Sequence, residues 1–180
     1  MVALCTLALV TAGGLVTSND AALAVPDWPL NWGRFVPPLE GGIRFEFAHR
    51  VLALLVALLT TTLAFRMQAT EARPWMRRLA WWTVATVMAQ ALLGGALVKL
   101  IDPKSLAIAH ASLAEICFGL TVAIAAGYYE VSAAGDWASR IAVVALFAQA
   151  VLGAAVRHGA IGVAPPESPC GLAWCLSWGT

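Results

Sequence analysis

Ionisable side chains embedded in apolar sequence are expensive to keep there and mark places where chemistry is done. Away from the ends of its apolar stretches this chain has few of them: Glu46, His49 and Arg50 in one stretch, His110 and Glu115 in another. Two imidazoles offer nitrogen ligands to an iron. Glu46 stands three residues before His49, on the same face of a helix, where a carboxylate can act as a base or stabilise charge beside whatever His49 holds. Glu46 and Arg50 also have the i,i+4 spacing of an intrahelical ion pair, which would neutralise both groups. The two readings are compatible.

The elements that carry these residues follow from composition. The chain has 180 residues, 61% hydrophobic and 12% charged, with a mean hydropathy of +0.80. Soluble domains carry about 25% charged residues. A water-facing surface on this chain is therefore excluded, as is a disordered chain. A net charge of +1 with no basic block argues against nucleic acid as a partner. A membrane-crossing helix needs about 20 apolar residues, and about five such runs are present: 1 to about 17, about 43–65, about 79–98, about 103–128 and about 138–156. The fold class expected is all-α, a polytopic transmembrane helical bundle. Gly13-Gly14 and Gly94-Gly95 are small-residue pairs that allow close helix contact.

If Asp102 caps the fourth span with Pro103 at its first position, and the second begins near Gly42, both histidines sit about seven residues in, roughly 10 Å along their helices. Spans two and four run in the same direction, so the histidines are level. That is the arrangement of two axial ligands on one heme iron between helices. The plainer reading is an interhelical hydrogen bond from each histidine. Arg50 could also meet a heme propionate. Glu115 reads as a polar contact in the bundle interior, and His158 as an interfacial histidine beside Arg157. Pro26-Asp27-Trp28-Pro29 reads as a turn with an interfacial Trp anchor. Cys5 and Cys117 read as small buried hydrophobes, while Cys170 and Cys175 are close enough in sequence to form a disulfide in an oxidising compartment.

Arg66, Arg73, Arg77 and Arg78 form the densest basic cluster, which predicts a cytoplasmic second connection. The N-terminus is then cytoplasmic, and the 18–42 loop, the 99–102 turn and the tail from Arg157 are external. Trp28, Trp32, Trp75, Trp81, Trp82, Trp137, Trp174 and Trp178 fall in loops or near span ends, as aromatic belts do. Ala22-Leu23-Ala24 before Val25 is similar to a signal-peptidase site, but no Lys or Arg precedes Arg34 to form the usual positive region. Spans one, three and five share a terminal pattern: Gly13-Gly14-Leu15-Val16, Gln90-Ala91-Leu92-Leu93-Gly94-Gly95-Ala96 and Gln149-Ala150-Val151-Leu152-Gly153-Ala154-Ala155.

Taken in order, Gly13-Gly14-Leu15-Val16-Thr17-Ser18, Val25-Pro26-Asp27-Trp28-Pro29-Leu30, Phe45-Glu46-Phe47-Ala48-His49-Arg50, Gln90-Ala91-Leu92-Leu93-Gly94-Gly95 and His110-Ala111-Ser112-Leu113-Ala114 resemble the N-terminal half of the heme A synthase family. The resemblance covers about residues 1–130. It implies two four-helix halves, each with a histidine pair for a heme, and oxidation of a heme O methyl group to the formyl group of heme A for cytochrome c oxidase biogenesis. By it, His49 and His110 are the iron ligands of the first half and Glu46 its functional glutamate, with heme O as substrate and heme b as the family's cofactor. Membrane lipid, heme O synthase and another copy of the chain are the partners it suggests. The first loop lacks the cysteine pair of some members. Val156-Arg157-His158 is similar to the start of the second half, and the segment holding Cys170 and Cys175 loosely resembles that half's cysteine-containing loop. The division expected is thus a heme-binding half at 1–130 and a fifth span with its tail at 131–180. The competing functions are a non-enzymatic b-type cytochrome or heme carrier using the same histidines, and a heme-free structural assembly bundle. Glu46 discriminates, because electron transfer needs no carboxylate at that spacing.

Overall fold

Runs of Ala, Leu and Val without interior proline fold as helices, and a computed structural model shows five: α1 (Val2–Ser18), α2 (Ile43–Thr70), α3 (Pro74–Lys99), α4 (Lys104–Tyr128) and α5 (Trp137–Arg157). The structure describes residues 1–31, 33–101, 103–129 and 137–157. Among them there is no strand, only an isolated bridge between Asn31 and Arg34. Helices α2, α3 and α4 are long and apolar enough to cross a membrane, and α1 is a shorter apolar helix. Many hydroxyls of these helices are satisfied internally, as suits hydrocarbon surroundings: Thr6, Thr11, Thr17, Thr60, Thr62, Thr83 and Ser112 each donate to the carbonyl four residues back.

Two boundaries differ from the sequence expectation. Helix α2 runs on to Thr70 rather than ending near Phe65, and α3 begins at Pro74 rather than Leu79. Arg66, Gln68, Arg77 and Arg78 therefore lie on helical turns, not in a loop. Their backbones keep the helical bonding while the long side chains reach toward water, and Pro74 suits a first helical position because its missing N–H had no partner to lose. Only residues 71–73 connect the helices. There Arg73 binds the Glu71 carboxylate, holding its pKa down to about 2, and donates through Nη1 to the Gly127 carbonyl at 3.0 Å. At the other end Pro103 caps α4 rather than opening it, and Asp102 lies outside the described residues.

Helices α1 to α4 close a ring in which each packs on the next and α4 returns to α1, while α5 lies against α4. Among the described residues the backbones of diagonal helices stay apart, with no Cα atoms within 8 Å of each other, and only side chains meet across the ring. The short connections from α2 to α3 and from α3 to α4 make each of these pairs antiparallel, so α2 and α4 run the same way on opposite corners. Apolar packing fills the bundle from the 71–73 end. Ala64, Met67, Met76, Ala80 and Ile124 form one buried cluster. Val56, Val87 and Cys117 form a second one nearer the middle, with Cys5 and Leu9 packed against it. Cys5 and Cys117 are free thiols, behaving as the small hydrophobes their surroundings predict. Leu54, Leu58, Phe65 and Leu92 point outward and are exposed, as lipid-facing residues should be.

Candidate functional site

Beyond the second cluster the diagonal carries the histidines. His49 and His110 each stand six residues past the first residue of their helix, so parallel helices bring them to the same depth. Each ring rests on a glycine of a neighbouring helix. A Cβ added to Gly13 on α1 would lie 3.1 Å from His49 Cε1, and one added to Gly94 on α3 would lie 3.5 Å from His110 Cε1. Both glycines are five residues before their helix ends. The two hairpins, α1–α2 and α3–α4, thus repeat one device, a glycine near the end of the first helix seating a histidine near the start of the second. Gln90, one turn before Gly94, donates to the His110 carbonyl at 2.9 Å.

Buried polar atoms almost always find a hydrogen-bond partner. Here His49 Nδ1, His110 Nδ1 and Gln90 Oε1 are buried without one. The Leu9 carbonyl lies beside the His49 ring, and the two imidazoles are within coulombic reach of each other. Two imidazoles at the same depth, each with a buried nitrogen that has no protein partner, fit the donor set of a heme iron. The residues present are therefore compatible with the group that the histidine pattern implies.

The second constellation is built on the first turns of α2. Glu46 is buried; its Oε1 is ion-paired with Arg50, and its Oε2 accepts the Val25 N–H at 2.8 Å. Arg50 Nη1 donates to the Asp27 carbonyl, the Leu30 carbonyl and Asn31 Oδ1, and Nη2 to the Val25 carbonyl. Val25 is fully buried, with both its N–H and its C=O held by the same ion pair. The i,i+4 pair expected from the sequence is present, and it fastens the loop between α1 and α2. Both Nη atoms of Arg50 bind this loop.

Trp28, read from sequence as an interfacial anchor, lies in the loop with 37% of its surface exposed. Its indole packs on Gly95 of α3, where an added Cβ would lie 2.9 Å from Cδ2 and Cε2. The packing roles of Gly13, Gly94 and Gly95 were visible only as small-residue pairs, and that of Gln90 only as part of a recurring Gln-x-x-x-Gly pattern. Cys170, Cys175 and His158 lie outside the described residues.

A helical membrane bundle with a level histidine pair on diagonal helices is the class of protein that fold and site define. Comparison with known sequences gives the family. The sequence model described as "Cytochrome oxidase assembly protein" matches residues 1–122, and the chain belongs to that family. Among curated relatives, a protein named heme A synthase from Symbiobacterium thermophilum is 33% identical over 66% of this chain and 40% of its own length. Heme A synthases from Methylobacterium sp. and Caulobacter vibrioides are each 32% identical, over 66% and 63% of this chain and 37% and 36% of their own. The chain thus spans about two fifths of the length of the curated relatives it matches. No solved structure matches it.

Proposed function

We propose that the four-helix ring is the heme-binding half of a heme A synthase-like membrane oxidoreductase, holding heme O so that one of its methyl groups is oxidised to the formyl group of heme A for cytochrome c oxidase biogenesis. The observation that carries the reading is the histidine pair: level, diagonal, each ring seated on a glycine, each with a buried nitrogen lacking a protein partner. His49 and His110 would hold the iron, and the bound heme would supply both the redox centre and the methyl group to be oxidised. Glu46, one turn before His49 on the same helix, is the carboxylate proposed to take up or stabilise charge near the reacting edge. Arg50 orients Glu46 by pairing with it. Residues 1–130 are read as this half, and 131–180 as the start of a second, whose Cys170 and Cys175 are candidates for a disulfide. Heme O synthase, a further copy of the chain and membrane lipid are the proposed partners, in the cell membrane with the N-terminus cytoplasmic. Heme b is the further cofactor that the family resemblance implies.

A non-catalytic heme carrier is the second reading, favoured by one observation: both Glu46 oxygens are engaged by the loop and Arg50. Expression of the full chain beside a heme O source, followed by analysis of extracted hemes, tests the proposal. The expected result is a low-spin heme protein yielding heme A, with heme retention lost in His49→Ala and in His110→Ala. Unchanged heme content and spectrum in both single variants would remove the ligand assignment. Bound heme O with no heme A would favour the carrier.

A further inference from the structure

The two glycine pairs are alike in their first member and unlike in their second. Gly13 and Gly94 each seat a histidine ring, but Gly14 has nothing near it, whereas Gly95 is filled by Trp28. Three atoms of the indole, Cδ2, Cε2 and Cε3, lie between 2.9 and 3.1 Å from the position of a Cβ on Gly95. No side chain larger than hydrogen fits there with the indole in place. Gly95 is buried, and the indole is what helps cover it. Its neighbour Gly94 touches His110, so Trp28 docks one residue away from the seat of one iron-ligand candidate.

The loop bearing Trp28 is fixed beside the other candidate. Arg50, next in sequence to His49, donates to the carbonyls of Val25, Asp27 and Leu30 and to Asn31 Oδ1, bracketing Trp28 on both sides. Asp27 in turn accepts the Gly33 N–H at 2.7 Å, and Ala21 and Ala24 pack against Gly42 at the foot of α2. The segment is therefore a strap pinned to α2 whose Trp28 indole reaches over to the neighbouring helix α3. Trp28 keeps 37% of its surface exposed, one part set on the helix and another open.

We propose that Trp28 is the wall closing the loop end of the heme site: a positioning residue that docks in the notch left by Gly95, shields the His49–His110 pair from water, and limits how readily a porphyrin leaves. The proposal rests on the heme reading above. A broad apolar ring suits this place because the group to be enclosed is itself a flat apolar macrocycle, and site burial controls both access and redox behaviour.

The test uses the full chain, loaded with heme, and follows transfer of heme to excess apomyoglobin together with the midpoint potential. Trp28→Ala removes the wall, Gly95→Ala fills its notch, Trp28→Phe keeps a ring, and Trp82→Ala removes an exposed indole elsewhere on α3. The expected result is heme loss about tenfold or more faster in Trp28→Ala and in Gly95→Ala, with a shifted potential. Trp28→Phe should stay close to the parent, and Trp82→Ala should be unchanged. A tether that only stiffens the loop would leave the potential where it was. Should Trp28→Ala fail to accumulate, Gly95→Ala and Trp28→Phe carry the comparison, since both retain an aromatic ring in the loop. Parent-like heme loss and potential in Gly95→Ala and Trp28→Ala, with histidine-dependent heme binding intact, would overturn the wall and leave the heme reading standing. A parent chain that takes up no heme would overturn both.

Discussion

Glu46 has two oxygens and both are in use, one on a backbone N–H of the loop and one on a guanidinium. A buried carboxylate so held is at once a structural pin and a poised charge, and a conservative substitution can separate these roles. Glu46→Gln keeps the size and one acceptor for the Val25 N–H but removes the negative charge. We expect this variant to retain heme at the parent stoichiometry while its formyl product falls by about 10²–10⁴-fold, the usual range for a lost acid–base group. Heme content and heme A yield measured on one preparation decide the matter. Full product removes Glu46 from the chemistry, and lost heme makes it a loop pin alone. Arg50→Met, by contrast, leaves the buried carboxylate unpaired, a change costing about 3–5 kcal/mol in buried pairs. The i,i+4 pair could be read from the sequence, because its partners share one helix. The acceptors on Val25, Asp27, Leu30 and Asn31 could not. They are backbone or short polar groups about twenty residues away, and no periodicity links them to Arg50.

Between residue and bundle stands the helical hairpin, and the same hairpin device occurs twice with unequal clearance. The position for a Cβ on Gly13 is 3.1 Å from His49, tighter than ordinary contact, while that on Gly94 is 3.5 Å from His110, an ordinary van der Waals distance. Gly13→Ala must therefore shift the His49 ring by a few tenths of an ångström, whereas Gly94→Ala need move nothing. The expected outcome is an altered Soret position or weakened heme retention in Gly13→Ala, with Gly94→Ala close to the parent in both. Equal effects of the two alanines would show that the clearances do not govern ring placement. At this scale the sequence was informative about existence and imprecise about ends. Apolar runs located all five helices, but arginines at 66, 77 and 78 suggested ends that the helices overrun. A guanidinium on a long stem can reach water without ending the backbone hydrogen bonding beneath it. The recurring Gln-x-x-x-Gly pattern of α3 and α5 was legible too. Its meaning in α3, a glutamine on the His110 backbone and a glycine under its ring, required knowing which helix lies opposite.

For the whole molecule, the two ends of the ring differ in what they contain. The end at 71–73 is packed with Met67, Met76 and Ile124 and rimmed by Arg66, Arg73, Arg77 and Arg78; the opposite end holds the histidines, the strap and Trp28. Helix α5 finishes at the histidine end as well, where Arg157 donates to the Thr17 carbonyl at the close of α1. Lys99, Lys104 and Arg157 also lie toward that end, so a bare count of basic residues separates the faces poorly. Clustering within one short connection and its flanking turns is the better guide. It predicts that residues 71–73 face the cytoplasm and the strap faces outward, with the heme site opening toward the outer leaflet. Cysteines placed singly at the exposed positions Ala72 and Leu39, in a chain whose four native cysteines are replaced, allow a direct check. A membrane-impermeant maleimide applied to intact cells should label Leu39→Cys and leave Ala72→Cys unmodified until the cells are broken. Labelling of Ala72→Cys in intact cells would invert the molecule, and the strap that encloses the histidine pair would then have to admit heme from the cytoplasmic side.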